Sequence, residues 1–359
     1  MSHGVYVAGM GLVCPLGEGV PGVVEALRLG EGAPEHVDVA EGFAWPVHRL
    51  PDAGGAWLDR LVAHVREVAA QCGGVDPRAD VPLLIGSSSL DAGFEEEGGA
   101  PAGPFAGDLQ TFGEAVAQAL AWRGPVFTVS TACTSSLNAV LAAMDLLQAG
   151  EATQALVLGV ELRNRFSVAG FGAMQLLSPQ HARPFGAERD GLVLGEAVAA
   201  LHLTAAPARW RLRGGANIAD GRNPTGAQHD TIVAVCRQAL ARSGLQPADI
   251  GLVKPQAAGS PANDAVEAGA LRALFGTPPP MASFKGAIGH ALGASGAAEL
   301  ALLMGCAEAQ AWPAMQEIAE PALGVAFAGD GPLHPRHILA LSIGFGGGHA
   351  ALVLEDGDA

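Results

Sequence analysis

Basic residues are scarce in this chain: 20 Lys and Arg stand against 36 Asp and Glu, for a formal net charge of −16. No basic run appears anywhere, which argues against a nucleic-acid footprint, because phosphate binding needs clustered Lys and Arg. An acidic partner would have to dock on a small, local basic patch. Cysteine is sparse too. Cys14, Cys72, Cys133, Cys236 and Cys306 are odd in number and widely spaced, with no C-x-x-C pair to suggest a dithiol or a metal site. Such usage points to reduced thiols in a cytoplasmic setting, with no metal. The longest apolar stretch, Leu192 to Ala200, is interrupted by Glu196 and is too short for a membrane span. No basic leader precedes an apolar core at the start of the chain, so Val5–Val7 reads as a first strand rather than part of a signal peptide.

What the chain does have is 359 residues that are 49% hydrophobic, with 50 glycines, enough for a large core or two fused subdomains. Strand signals at Val5–Val7, Val81–Ile85, Val126–Val129, Ala155–Gly159 and Ala197–Leu203 alternate with helical patterns at Val20–Leu29, Trp57–Cys72, Phe112–Trp122 and Ser136–Gln148. That alternation marks a layered α/β fold. After the break at Ala205–Ala208 the cycle restarts, with strands predicted at Trp210–Ile218 and Ile250–Val253 and helices at Asp230–Ser243, Ala262–Phe275 and Ala294–Ala309. The second half closes with strands at His337–Ile343 and His349–Leu354. A division into residues 1–205 and 206–359 follows. The helix after Cys133 also resembles in texture the one that begins at Ser295, and both are nearly charge-free, which predicts two buried, equivalent helices at the centre of a duplicated fold.

Cys133 lies where the Val126–Val129 strand gives way to the helical pattern of Leu137, Val140, Leu141, Met144 and Leu147. At the mouth of a helix, unpaired N–H groups and the helix dipole favour a thiolate, so the expectation is a lowered pKa and a nucleophile. The plain alternative is one more small buried cysteine.

Four blocks carry a resemblance in order along the chain. Thr131-Ala132-Cys133-Thr134-Ser135-Ser136 resembles the nucleophile motif of the β-ketoacyl-[acyl-carrier-protein] synthases, in the branch of these condensing enzymes that uses a Cys with two His. Arg183 to Glu196 resembles the family's RPFD…R-G-F-V-x-G-E-G segment, Ser283 to Gly296 its S-x-K-x-x-x-G-H-x-x-G-A-A-G block, and Ser342 to Ala350 its terminal N-S-F-G-F-G-G-x-N-A. The resemblance implies a thiolase-like fold: a five-layered α-β-α-β-α sandwich from two duplicated halves, commonly dimeric. It further implies that Cys133 accepts an acyl group as a thioester, that the N–H groups of Cys133 and Phe345 form an oxyanion hole, and that Gly344 and Gly346 let backbone approach the substrate. Phe345 would also gate the acyl pocket. His290 matches the second family histidine, a donor to the malonyl thioester oxygen as carbon dioxide leaves. Lys285 and Glu267 match the family's buried Lys and acidic pair, which holds the site's electrostatics rather than touching substrate, with Asp264 beside them.

One block departs from the pattern. Where the family reads E-A-H-G-T-G-T-P-x-N-D, this chain has Lys254-Pro255-Gln256-Ala257-Ala258-Gly259-Ser260-Pro261-Ala262-Asn263-Asp264. Gln256 therefore stands at the first catalytic histidine, and Ala258 and Ser260 stand at the two threonines that contact pantetheine. An amide can donate an N–H to an enolate, as Asn does in a related branch, but it cannot take up or give a proton. The resemblance implies acyl carrier protein as partner, with phosphopantetheine as its substrate arm and no bound cofactor, and a homodimer or a heterodimer with another ketosynthase. Intact Cys133, Lys285, His290 and Phe345 point to a condensing enzyme of fatty acid or polyketide assembly. Gln256, Ala258 and a short N-terminal half point instead to a chain-length-factor-like subunit. Acyl transfer without decarboxylation is a third reading, since it needs the thiol and the oxyanion hole but no second histidine.

Overall fold

In the computed structural model, which describes residues 4–51, 55–98, 108–313, 318–329 and 333–359, the two cycles read from the sequence become two half-sheets. The first half contains β1 (Val5–Cys14), β2 (Gly17–Glu18), α1 (Val20–Arg28), β3 (Glu35–Ala40), β4 (Phe43–His48), α2 (Trp57–Cys72), β5 (Leu83–Gly86), α3 (Ala92–Glu96) and α4 (Leu109–Ala119). It continues with β6 (Val126–Val129), α5 (Ser135–Ala149), β7 (Gln154–Glu161), α6 (Arg165–Ala173), β8 (Leu194–Gly195) and β9 (Ala197–Thr204). The second half contains β10 (Trp210–Ala219), α7 (His229–Ser243), β11 (Leu252–Lys254), α8 (Pro261–Phe275), α9 (Lys285–Ile288), α10 (Ser295–Ala309), β12 (His337–Gly344) and β13 (Gly348–Asp356). The predicted division at 205/206 falls in the link between β9 and β10.

The strand order shows the duplication directly. The first half runs β1-β9-β7-β5-β6 and the second β10-β13-β12-β11, with the inner pairs antiparallel and the outer ones parallel in both. Beyond β11, Met281 makes a parallel bridge to Val253, in the place β6 takes beside β5. The halves are not separate sheets. They join through an antiparallel seam in which Val5, Tyr6 and Val7 pair with Leu212, Arg211 and Trp210.

Helices α5 and α10 lie between the half-sheets, α5 touching β5, β7 and β13 and α10 touching β9, β1 and β12, while α2, α4 and α7 cover the outer faces. The five layers follow from the composition of these two inner helices. From Ser295 to Ala307 every residue of α10 is buried, so the helix is hydrated on no side and must be apolar or paired all round. Small residues let the pair cross closely: a Cβ on Gly296 would stand 2.5 Å from the Leu137 nitrogen. Ser136 Oγ accepts from the Ala297 N–H at 3.0 Å, which satisfies one of the free donors in the first turn of α10.

A small sheet, β3-β4-β8, sits apart from the main one. Its last strand ends just before Glu196, the residue that breaks the apolar run in the sequence. Glu196 is buried, pairs with buried Arg60 at 3.1 Å, and accepts the N–H groups of Leu50 at 2.9 Å and Arg163 at 2.6 Å. One carboxylate thus ties four segments together where the chain steps from one sheet to the other. Among the described residues no helix is long and apolar enough to cross a membrane.

Candidate active site

Between β6 and α5 the chain turns through Ala132, whose φ of 52° lies in the left-handed region that costs a non-glycine residue on the order of 1–3 kcal/mol. Hydroxyls hold the turn. Thr134 Oγ1 donates to the Thr131 carbonyl and Ser135 Oγ to the Ala132 carbonyl, both at 2.6 Å, while Ser135 Oγ accepts from the Thr131 N–H at 2.9 Å. The small polar residues around Cys133 are there to build this elbow, which presents the sulfur at the first turn of α5. The N–H groups of Phe345 and of Cys133 itself are aimed at that sulfur.

The thiol does not have the lowered pKa expected of a helix mouth. Burial pushes it up to about 12; the Lys285 charge and the two N–H groups oppose the shift, and the Glu161 carboxylate adds to it. Removing an anion from water outweighs the partial charges of the helix end, two of whose N–H groups, those of Thr134 and Ser135, are already turned back on the elbow carbonyls. Glu161 is held below the elbow by the N–H groups of Ser88 at 3.1 Å, Ser89 at 3.0 Å and Gly293 at 2.9 Å, and burial pushes its own pKa up.

Opposite the elbow is the loop between β12 and β13. Gly344 backs directly on the Cys133 nitrogen: a Cβ there would lie 3.2 Å from it. Phe345 follows, and its ring stacks on Phe171 of α6 with centroids 5.2 Å apart and planes 14° from parallel. Gly346 and Gly347 turn the chain at φ 80° and 81°. A Cβ on Gly347 would come within 1.7 Å of the Asp220 carbonyl oxygen, and Gly346 N–H donates to the Pro224 carbonyl at 2.7 Å. Replacing Gly347 with Ala is therefore expected to lower stability by more than about 1 kcal/mol, read as a lower urea midpoint, and to displace Phe345 from the sulfur.

His290 is buried at the start of the loop into α10. Its Nδ1 lies 3.0 Å from Ser295 Oγ, and its Nε2 lies 3.5 Å from the Gln256 side-chain nitrogen. Burial, then the Lys285 charge, lower its pKa to about 3, so the ring is neutral at physiological pH. Gln256 is oriented from the other side, where its Oε1 accepts the Ile343 N–H at 3.3 Å.

The cleft brings together Cys133, Gln256, Ser260, His290, Gly344 and Phe345, with Asp264 and Glu267 in its wall. Gly346 is not in the lining; it is exposed and serves the turn. Ser260 stands at the cleft with its hydroxyl accepting the Asn263 N–H at 3.4 Å as the cap of α8. Asp264 gathers the N–H groups of Phe185, Ala258, Gly259 and Ser260 at 2.9–3.2 Å and so fixes the turn that carries Ala258.

The expected pairing of Lys285 with Glu267 is corrected by the geometry. Lys285 lies behind His290 and pairs with Glu299 on α10, whereas Glu267 accepts the backbone N–H groups of Gln256 at 2.7 Å and Ala257 at 2.8 Å. Burial raises Glu267 to about 7. A second buried lysine shares Glu299: Lys254 Nζ is 2.5 Å from its Oε2 and donates to the Leu341 carbonyl at 2.8 Å. Phe171, Glu299, Ser295 and Lys254 were not singled out by sequence reasoning. Only the last two stood where a motif position departs, Ser295 at an alanine of the His290 block and Lys254 at the glutamate of the Gln256 block. A second cavity has Val47, Val168, Leu194 and Leu292, members of the apolar cluster that includes Cys133, on one part of its wall, and charged residues such as Glu96, Arg163 and Arg165 on another.

The comparisons with known proteins agree with this layout. The model of the N-terminal domain of beta-ketoacyl synthases matches residues 95–208, and that of their C-terminal domain residues 212–319. Erythronolide synthase EryA2 of Saccharopolyspora erythraea is 34% identical over 244 residues, which are 63% of this chain but 6% of that protein. The chain thus spans a small part of the length of that relative. Nodulation protein E of Rhizobium sp. (strain N33) is 28% identical over 347 residues, 84% of this chain and 85% of that one. Among solved structures, a ketosynthase in complex with its chain length factor from Xenorhabdus doucetiae superposes with a TM-score of 0.85 at 25% identity, covering 99% of this chain and 98% of that one.

Proposed function

The chain belongs to the beta-ketoacyl synthase family, and on that footing we propose that it is a condensing enzyme of the 3-oxoacyl-[acyl-carrier-protein] synthase type, taking an acyl group onto Cys133 and joining it to a malonyl unit with loss of carbon dioxide. The observation that carries this reading is the elbow itself: a sulfur at which two backbone N–H groups point, facing Gln256 and His290 across one cleft.

In acylation, the Cys133 sulfur bonds to the carbonyl carbon of an acyl thioester, and the carrier's thiol leaves with the proton the cysteine gives up. The N–H groups of Cys133 and Phe345 serve the oxyanion of that step. The acyl chain would pass along the apolar part of the second cavity's wall, formed by Val47, Val168, Leu194 and Leu292, with Phe345 stacked on Phe171 at the gate. In condensation, malonyl thioester loses carbon dioxide and leaves an enolate. Its oxygen faces the Gln256 amide and the His290 ring, and its carbon bonds to the acyl carbonyl as the Cys133 sulfur departs. Lys285, Glu299 and Lys254 set the charge behind these donors, and Asp264 and Glu267 hold the Gln256–Ser260 turn.

Acyl carrier protein is the partner this reading requires, its phosphopantetheine arm entering past Ser260, and no bound cofactor is needed. A dimer, with itself or with another ketosynthase, completes the proposal, as does a cytoplasmic setting for its unpaired, buried thiols.

The test is to incubate the purified chain alone with acyl- and malonyl-carrier protein and follow carbon dioxide, ketoacyl product and the mass of Cys133. Acylated Cys133 and ketoacyl product are expected. No acylation would overturn the enzyme reading and leave the chain-length-factor-like subunit. Acylation without condensation would instead leave the acyl transferase or a partner-dependent enzyme. Gln256→Ala is expected to cut condensation on the order of a hundredfold to a thousandfold while Cys133 is still acylated, because an oxyanion donor is lost at one step only. Gln256→His reports the complementary effect, whether the amide limits the rate.

A further inference from the structure

We propose that Asn164 and Ser167, at the start of α6, are specificity-determining residues that select an acyl chain carrying an uncharged oxygen, a ketone or a hydroxyl, about eight bonds beyond the gate of Phe345 and Phe171. This deepens the condensing-enzyme reading given above and rests on it for the acyl nature of the ligand.

Asn164, Ser167, Val168 and Phe171 follow one another at the three- and four-residue spacing that puts side chains on one side of a helix, with Asn164 as its cap. Phe171 lines the cleft that holds Cys133, and the other three line the second cavity. One face of α6 therefore runs from the gate into that cavity, where Val168, Leu194 and Leu292 belong to the apolar cluster that includes Cys133. At 1.5 Å of rise per residue, Asn164 stands about 10 Å along the helix from Phe171. An extended chain advances a little over 1 Å per bond, so about eight bonds cover that distance.

The end of this path is polar. Asn164 is 6% exposed, its Oδ1 accepts the Ser167 N–H at 2.7 Å, and its Nδ2 makes one long bond, to the Leu162 carbonyl at 3.4 Å. One amide N–H is left over. The Ser167 hydroxyl, in the same wall, bonds to no other described residue. A methyl-ended chain laid here would cover both donors and pair neither, which costs free energy that a ketone or hydroxyl oxygen restores by accepting from them. An anionic end is disfavoured twice. The N–H groups that would draw a carboxylate to the start of α6 are taken, those of Arg165 at 2.7 Å and Phe166 at 2.6 Å by Glu96 and that of Ser167 by Asn164. Five acidic residues also line the cavity against two arginines, Arg163 and Arg165, and the Arg165 guanidinium is engaged by the Val39 carbonyl. What Asn164 has to spare is a donor, which repels an ammonium end as well.

The test is calorimetric titration of the full chain with pantetheine amides, which cannot acylate Cys133. Three are compared: an octanoyl chain, the same chain with a ketone one carbon from its end, and the same chain ending in a carboxylate. The ketone is expected to bind about tenfold more tightly than octanoyl, and the carboxylate no more tightly than octanoyl. Ser167→Ala, and Asn164→Asp, which keeps the cap oxygen but loses the N–H groups, are each expected to cut the ketone's advantage to about threefold or less. Equal binding of ketone and octanoyl chains, tighter binding of the carboxylate, no binding of any of the three, or an advantage kept in both folded variants would overturn the proposal. The companion measurement is the mass of Cys133 after incubation with the matching acyl-carrier thioesters. A chain that keeps the ketone preference without acylating Cys133 would sink the enzyme reading alone, and one that acylates Cys133 without the preference would sink this inference alone.

Discussion

Replacing Cys133 with alanine is expected to abolish acyl loading and to lower ketoacyl formation on the order of 10⁴-fold or more, since loss of a nucleophile removes the covalent path altogether. Mass spectrometry of the intact protein after acyl-carrier incubation checks the first effect and product formation the second. The fold should not suffer, because the elbow is held by the hydroxyls of Thr134 and Ser135 and by backbone bonds rather than by the sulfur. The wild-type thiol supplies a companion result. With burial holding its pKa near 12, it is almost wholly protonated at neutral pH, so alkylation by iodoacetamide should be slow and rise about tenfold per pH unit into the alkaline range. A thiol that reacted rapidly at neutral pH and reached a plateau would show that the N–H groups and Lys285 outweigh burial. Acyl transfer at neutral pH must then draw the proton away as the carbonyl arrives, which is why the protonation state of His290 matters to the first half-reaction.

Much of this was legible in the residues, and the parts that were not share a physical cause. The long elements follow from periodicity: Trp57–Cys72 and Val126–Val129 fall where the pattern put them, and the equivalence of α5 and α10 follows from two nearly charge-free helices that have nowhere to go but the centre. The β3-β4-β8 sheet was missed because Glu35–Ala40 is half polar and Leu194–Gly195 is two residues long, too little for a period to show. In the site, the motif residues Cys133, His290, Gly344 and Phe345 meet at one cleft. What escaped were quantities set by distance in space. The thiol was expected to be acidic because a helix end is visible in sequence and desolvation is not. Lys285 was assigned Glu267 as its partner, although α10 places Glu299 closer and Glu267 is taken up by the turn at Gln256 and Ala257. Phe171 gave no signal at all, lying on the nine-residue α6, too short for a period to stand out.

Replacing Glu299 with glutamine is expected to have the largest effect on stability, about 3–5 kcal/mol, because it leaves two buried ammonium groups without the carboxylate both pair with. Lys254, Lys285 and Glu299 are each 2% exposed or less, so solvent screens none of them. Burial would push Glu299 up, but the two lysines together hold its carboxyl below the usual range. An amide in its place can accept from one lysine only and would turn an N–H toward the other. Lys254→Met should cost less. It gives up the bond to the Leu341 carbonyl but leaves Lys285 and Glu299 as a neutral pair. Urea unfolding of the three proteins at neutral pH measures this order, and a Glu299→Gln variant no less stable than Lys254→Met would refute Glu299 as the counter-charge to both lysines. The pH dependence adds a sign. Burial depresses Lys254 from 10.5 to about 8, so between those values the unfolded chain binds a proton that the folded one has shed, and stability contributed by this group rises with pH. Lys254→Met should erase that rise. Neither lysine lines the cleft, so these changes reach the chemistry only through the field at His290, where Lys285 and Lys254 lower the pKa and Glu299 raises it. Removing Glu299 therefore leaves the ring neutral as before, and a folded Glu299→Gln protein should lose stability without charging His290.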